Sequence, residues 1–142
     1  MPTAPKIKIS LFIIVLLSSI LISITMFRSG IKYNFGIGFW GPNGHDAIWH
    51  LSLINQLKTN IPPQNPIFSG TILSNYHWGF DFLVALISKL TYLDASLLYF
   101  QILPFVFALL IGFLSYKLAF SLTKNHISSL FFVLTSLLLQ IK

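Results

Sequence analysis

Asp46 and His50 stand four residues apart in the run Gly44-His45-Asp46-Ala47-Ile48-Trp49-His50. On a helix that spacing puts a carboxylate and an imidazole on one face. Such a pair can take a proton from a hydroxyl, or stabilise charge while the imidazole orients a phosphate. Asp46 also falls in the first turn of the helix it would help to start. An acid there satisfies free amides and the helix dipole, and Asn43 is placed to cap the same helix. Both readings stand on local sequence. Only two other acids, Asp81 and Asp94, occur in the 142 residues, and all three lie in the one long segment that does not look like membrane. A carboxylate is costly beside a bilayer, so one in a membrane-facing loop is a functional candidate.

A second dense cluster is Tyr76-His77-Trp78-Gly79-Phe80-Asp81. Its rings suit an interfacial aromatic belt, with Asp81 a first-turn acid for the helix that follows. Aromatic faces with polar tips also suit the C–H faces of sugars. His45, His50 and His77 with Asp46 raise the question of a metal, but no HExxH or comparable spacing supports zinc. A Mg²⁺ or Mn²⁺ bridging Asp46 and a substrate phosphate needs fewer protein ligands and stays open. With no cysteine, thiolate chemistry, disulfides and cysteine metal sites are absent.

The elements that must position these residues are mostly apolar. Hydrophobic residues make up 55% of the chain, charged residues 8%, and the mean hydropathy is +0.80. A water-soluble domain has about a quarter of its residues charged, so the composition is that of an integral membrane protein. The net charge of +6 does not point to nucleic acid, because the basic residues bracket apolar runs instead of forming an interleaved patch. The fold class expected is all-α: spans at about 8–28, 95–122 and 126–141 in a single membrane domain, an outer loop over 29–94, and no β-sheet. The first run, Ile9 to Phe27, is longer than a signal-peptide core, and Ser29-Gly30 lacks a small-x-small cleavage pattern. The last run stops short of the ~20 residues a span needs, which reads as the amino-terminal part of a larger polytopic chain or an unusually short helix.

Within the loop, Gly36, Gly38, Gly41 and Gly44 mark a turn-rich entry. Asp46 to Lys58 reads as a short helix on the spacing of Trp49, Leu53 and Leu57, ended by Ile61-Pro62-Pro63. Gln64 to Asn75 is loop. Phe80 to Leu90 reads as an amphipathic helix with Phe80, Leu83, Val84, Ile87 and Leu90 on one face, lying at the membrane interface. Pro104 interrupts the second span. Lys6, Lys8, Lys117 and Lys124 put the amino terminus in the cytoplasm and the loop outside the cell membrane, against the opposing Arg28 and Lys32.

The order of these pieces resembles the amino-terminal part of GT-C membrane glycosyltransferases, which take sugars from polyprenyl-phosphate donors. Asp46-Ala47-Ile48-Trp49-His50-Leu51 looks like the first-loop acidic motif of that superfamily. Ile61-Pro62-Pro63-Gln64-Asn65-Pro66 and Tyr76-His77-Trp78-Gly79-Phe80 look like its later loop elements. Many relatives carry two adjacent acids at the first position, where this chain has His45 before Asp46. The resemblance implies that Asp46 is the catalytic base, deprotonating an acceptor hydroxyl in an inverting transfer at the outer face. His50, His77 and Lys58 are proposed on chemical grounds to supply charge or donors to the leaving lipid phosphate, with Tyr76 beside them at the substrate. It further implies that the isolated chain is inactive. Two other readings remain: a small non-catalytic membrane protein, and a fragment of a transporter. A transporter would carry ionisable groups inside its spans, for which Gln101 and Lys117 are the only hints.

Overall fold

The computed structural model describes residues 4–41, 43–68 and 70–138. The chain is mostly helical, and its backbone contacts divide it into two compact units.

One unit combines residues 4–25 with 103–138. Helix α1 (Ala4–Phe27) and helix α4 (Ala95–Thr123) are the two that are long and apolar enough to cross a membrane. Helix α5 (His126–Leu138) is shorter; the end of the expected third span, residues 139–141, lies outside the described residues. Val15 and Val133 form a small core with Leu11, Ile14, Ile22, Leu109 and Tyr116 around them. Apart from Leu103, the other buried positions are small: Ser18, Ser19, Ser23, Ala108, Gly112, Ala119 and Ser129. Large side chains such as Leu17, Leu114, Leu118, Leu122 and Phe131 point outward. At the α4–α5 turn, Asn125 Oδ1 caps α5 by accepting from the Ile127 and Ser128 amides. Tyr116 Oη meets His126 Nδ1 at 2.6 Å, and Phe120 stacks on the same ring.

The other unit, Met26–Ile102, holds all three acids. Its organising point is Ser29-Gly30, where α1 ends with Gly30 in the left-handed region (φ 77°). Ser29 Oγ accepts from the Trp40 amide and from Asn43 Nδ2. The Ser29 carbonyl accepts from Gln101 Nε2 at 2.6 Å, and the Gly30 carbonyl accepts from Ser96 Oγ. Asn43 Nδ2 thus ties the start of α2 to the end of α1.

The expectation of no β-sheet fails here. Strands β1 (Ile31–Tyr33) and β2 (Gly36–Gly38) form an antiparallel hairpin pairing Ile31 with Gly38 and Tyr33 with Gly36. Strands of three residues are too short for an alternating pattern to emerge, and the glycines read as turns. Those glycines are what lets the strands form: Gly36 has φ 138°, and a Cβ on Gly38 would meet the Tyr33 ring at 2.7 Å.

Helix α2 (Asn43–Leu57) starts three residues before the expected Asp46 and ends one before Lys58, and α3 (Gly79–Thr91) extends one residue beyond each expected limit. Two contacts with the same offset, His50 to Asp81 and Lys58 to Lys89, mean that they run side by side in the same direction. Leu53, Ile54 and Leu57 of α2 are buried, as are Val84, Ala85 and Ser88 of α3. The stripe expected on α3 is largely its outer side: Phe80, Leu83 and Leu90 are exposed, together with Leu86. The return from α2 to α3 contains a cis Ile61–Pro62 bond, an Asn65 side chain accepting from the Ile67 and Phe68 amides, and a bridge between Gln64 and Ile72.

Asp94 caps the start of α4, its Oδ1 accepting from the Ser96 and Leu97 amides. Residues Leu98–Ile102 form a widened, π-helical turn. It lies where Pro104, having no N–H, would leave the Phe100 carbonyl without its usual donor. The turn presents Tyr99 toward α2 and Gln101 toward the end of α1.

Candidate functional site

The N-terminal halves of α2 and α3 bring the sequence's chemical residues together, around a partner that local sequence did not assign. Asp81 is 1% exposed, and its carboxylate faces His50 Nδ1 at 3.0 Å and 3.2 Å. The first-turn acid of α3 therefore serves the imidazole and not the helix amides; Trp78 at the helix start makes no side-chain cap either. Burial raises the Asp81 carboxyl above its ordinary value, against the opposing charge and hydrogen bond of His50 and the charge of His77. A buried acid oriented on one imidazole nitrogen fixes the ring and its tautomer. With Nδ1 committed, Nε2 is the nitrogen that can meet a substrate.

Aromatic rings wall the pair. Tyr99 lies against the His50 ring at 5.5 Å between centroids, with Phe80 packed edge-on to Tyr99. Tyr76 lies 6.5 Å from the His50 ring, packs edge-on against Trp49 and stacks on His77 at 4.7 Å.

Asp46 is exposed, and its Oδ1 lies 2.9 Å from His45 Nδ1. It shares a helix face with His50 but is bonded to His45, while His50 turns to Asp81. Its exposure puts it at the rim of the cluster. Of the residues expected at the site, His50, Tyr76 and His77 are brought together, with Asp46 at the edge. Lys58 lies apart, two turns along α2, about 12 Å at 1.5 Å per residue. Among the described residues no group of three or more histidine and carboxylate side chains could hold a metal ion.

Asp81 and Tyr99 are the members that sequence reading missed. Asp81 carried a usable signal: it shares a helical stripe with Val84, Ala85 and Ser88, the face that α3 buries. Two small residues made that stripe look polar, while the louder stripe of large apolar residues faces outward. Tyr99 carried none, because its direction depends on the widened turn.

Comparison with protein-family models, with curated proteins and with solved structures finds no match to this chain. What is established of the class is a mostly helical protein with, among the described residues, two helices long and apolar enough to cross a membrane.

Proposed function

We propose that the chain is the amino-terminal part of a membrane glycosyltransferase that moves a sugar from a polyprenyl-phosphate donor to a hydroxyl acceptor at the outer membrane face. The observation that carries the reading is the buried Asp81 held on His50 Nδ1, with Tyr76 and Tyr99 against the imidazole. His50 Nε2 takes the proton of the acceptor hydroxyl. That oxygen attacks the anomeric carbon, the bond from that carbon to the phosphate oxygen breaks, and the electron pair leaves with the lipid phosphate. Asp81 balances the charge that develops on the imidazole. Tyr76 and His77 supply a stacking face and donors for the sugar. The motif resemblance of Asp46-Ala47-Ile48-Trp49-His50-Leu51 supports the transferase class.

A membrane setting fits the first unit, where most buried side chains are small and many large apolar ones face outward. Helices associate in lipid through small residues at their contacts. Outside, the apolar stripe Phe80, Leu83, Leu86 and Leu90 suits α3 to lie in the interface. In this reading the amino terminus is cytoplasmic and residues 29–94 are external.

One observation favours a second assignment of the base. Asp46 is solvent-exposed and shares a helix face with His50, so its carboxylate can receive the proton with His50 serving the phosphate. The test is sugar transfer from a panel of polyprenyl-phosphate donors, in membranes of cells expressing the gene in its genomic context. His50→Gln and Asp81→Asn abolishing transfer with Asp46→Asn retaining most of it supports the His50 base. The reverse pattern supports Asp46. Transfer unaffected by all three variants, or none in the unsubstituted protein, overturns the reading.

A further inference from the structure

At the opposite end of the α2–α3 pair, both helices finish at one cleft of about 600 Å³. Lys32, Lys58 and Lys89 line it, together with Asn55, Tyr92 and Asp94. Lys32 is bonded to Asp94, so that pair is neutral. Lys89 Nζ donates to the Lys58 carbonyl at 3.0 Å, and Lys58 Nζ donates to Asn55 Oδ1 at 3.3 Å. An ammonium has three donors, so both lysines keep hydrogens beyond those bonds. Two helix C-termini contribute about half a negative charge each, which leaves roughly one positive charge of Lys58 and Lys89 uncompensated. Tyr92 stands at the mouth, almost fully exposed and in the left-handed region with φ 60°.

We propose that this lysine cleft binds a phosphate group carrying one negative charge, as in a phosphodiester, at a site separate from the His50–Asp81 cluster. The bulkier competitor, a polyanion such as nucleic acid, is disfavoured because the surplus charge is small and confined to a cleft lined by α2, α3 and the start of α4. A phosphate of this kind can come from an anionic lipid headgroup or from free phosphate. The inference does not depend on sugar transfer, since it concerns binding at the far end of the pair.

The experiment uses the full chain in nonionic detergent micelles with ¹³C,¹⁵N-labelled lysine, the unmodified side chains being followed by NMR. It is titrated separately with inorganic phosphate and with dioctanoyl phosphatidylglycerol. Saturable shifts at Lys58, Lys89 and Lys32, with Lys117 and Lys124 unmoved, are expected. Saturation by the lipid alone identifies a headgroup site; comparable saturation by phosphate identifies a site for the free anion. Lys58→Met, read at Lys32, should weaken binding at least about tenfold, and Lys58→Arg should restore most of it. Lys58→Met leaves the Lys89 bond to the backbone in place, so folding is preserved. No saturable shift with either probe, equal shifts at every lysine, or unchanged affinity in Lys58→Met would overturn the proposal.

Discussion

Replacing Asp81 by asparagine separates the chemical role of this buried acid from its role in packing. The two side chains have the same shape, so no cavity forms. A hydrogen bond to a charged acceptor contributes about 1.5–3 kcal/mol and a neutral one about 1 kcal/mol, so the bond to His50 weakens by about 1 kcal/mol. Burial of the carboxylate carries a hydration cost that opposes this loss, in the direction of its raised pKa. The two effects oppose, and Asp81→Asn should fold with stability within about 1 kcal/mol of the unsubstituted chain. Asp81→Ala should lose about 2–3 kcal/mol, because it leaves a gap and a partly buried imidazole N–H without a partner. Linkage adds a sign. A carboxyl whose folded pKa is raised binds its proton more tightly when folded. Stability from this residue is therefore greatest below the unfolded value near 4, and falls as pH rises through the folded value. Asp81→Asn should remove that decline. On catalysis the same exchange should be severe, since an amide can donate to Nδ1 and turn the imidazole to the wrong tautomer; in a serine-protease triad this costs about 10⁴-fold. Denaturant titration in detergent across pH, ¹⁵N shifts of His50 for tautomer, and transfer rates provide the three readouts. An Asp81→Asn protein as unstable as Asp81→Ala, or with unchanged His50 shifts and full transfer, would refute the reasoning.

Other expectations are more local. Gly30→Ala should destabilise the chain by about 2–4 kcal/mol, because the new Cβ meets the Phe100 ring and Ser96 Oγ in a left-handed backbone; a denaturation midpoint equal to the parent's would contradict the packing described. Asp94→Ala should cost about 1 kcal/mol through loss of the α4 cap. The Lys32 bond, chiefly, and the Ser96 and Leu97 amides hold the Asp94 carboxyl below its ordinary value. Its contribution is present above the unfolded value near 4 and lost as pH falls through the lowered folded value; an acid limb identical in Asp94→Ala would sink this assignment. Cysteines introduced at Leu17 and Leu109 should resist aqueous labelling in native membranes while one at Asn65 reacts from outside, and equal labelling at all three would remove the membrane reading. Purified chain in nanodiscs should show no sugar transfer, because misplacing a reacting group by about 1 Å costs ~100-fold; robust turnover abolished by His50→Gln would show that these residues suffice.

Long helices were legible in the sequence because run length alone decides them: Ile9 to Phe27 and Ala95 to Leu122 appear within α1 and α4. The loop helices were legible from the spacing of Leu53 and Leu57 and from the breaker at Ile61-Pro62-Pro63. Which face each helix buries was not. On α3 the large residues face out and Asp81, Val84, Ala85 and Ser88 face in, a choice made by the neighbouring helix and not by hydrophobicity. The same cause hid the His50 partner. Asp46 is near His50 in sequence, but side-chain direction matters more than spacing, and Asp81 reaches the ring from 31 residues away. The hairpin at Ile31–Gly38 was hidden by its size, and the direction of Tyr99 by a turn that only Pro104 hints at.

The shared direction of α2 and α3 has a consequence for what the intervening chain can become. Antiparallel helices can be joined by a few residues, but these two require a path back along the whole pair. Fifteen residues of helix rise about 22 Å, which about seven extended residues could retrace. The chain between Leu57 and Gly79 is about three times that, and the surplus is folded into its own small structure around Asn65 and the Gln64–Ile72 bridge. Since doubling such a connection costs only about 0.6 kcal/mol, this return path is where the protein can accept foreign sequence. A peptide inserted beside Asn65 would leave the helix pair, and the chemistry at each of its ends, in register.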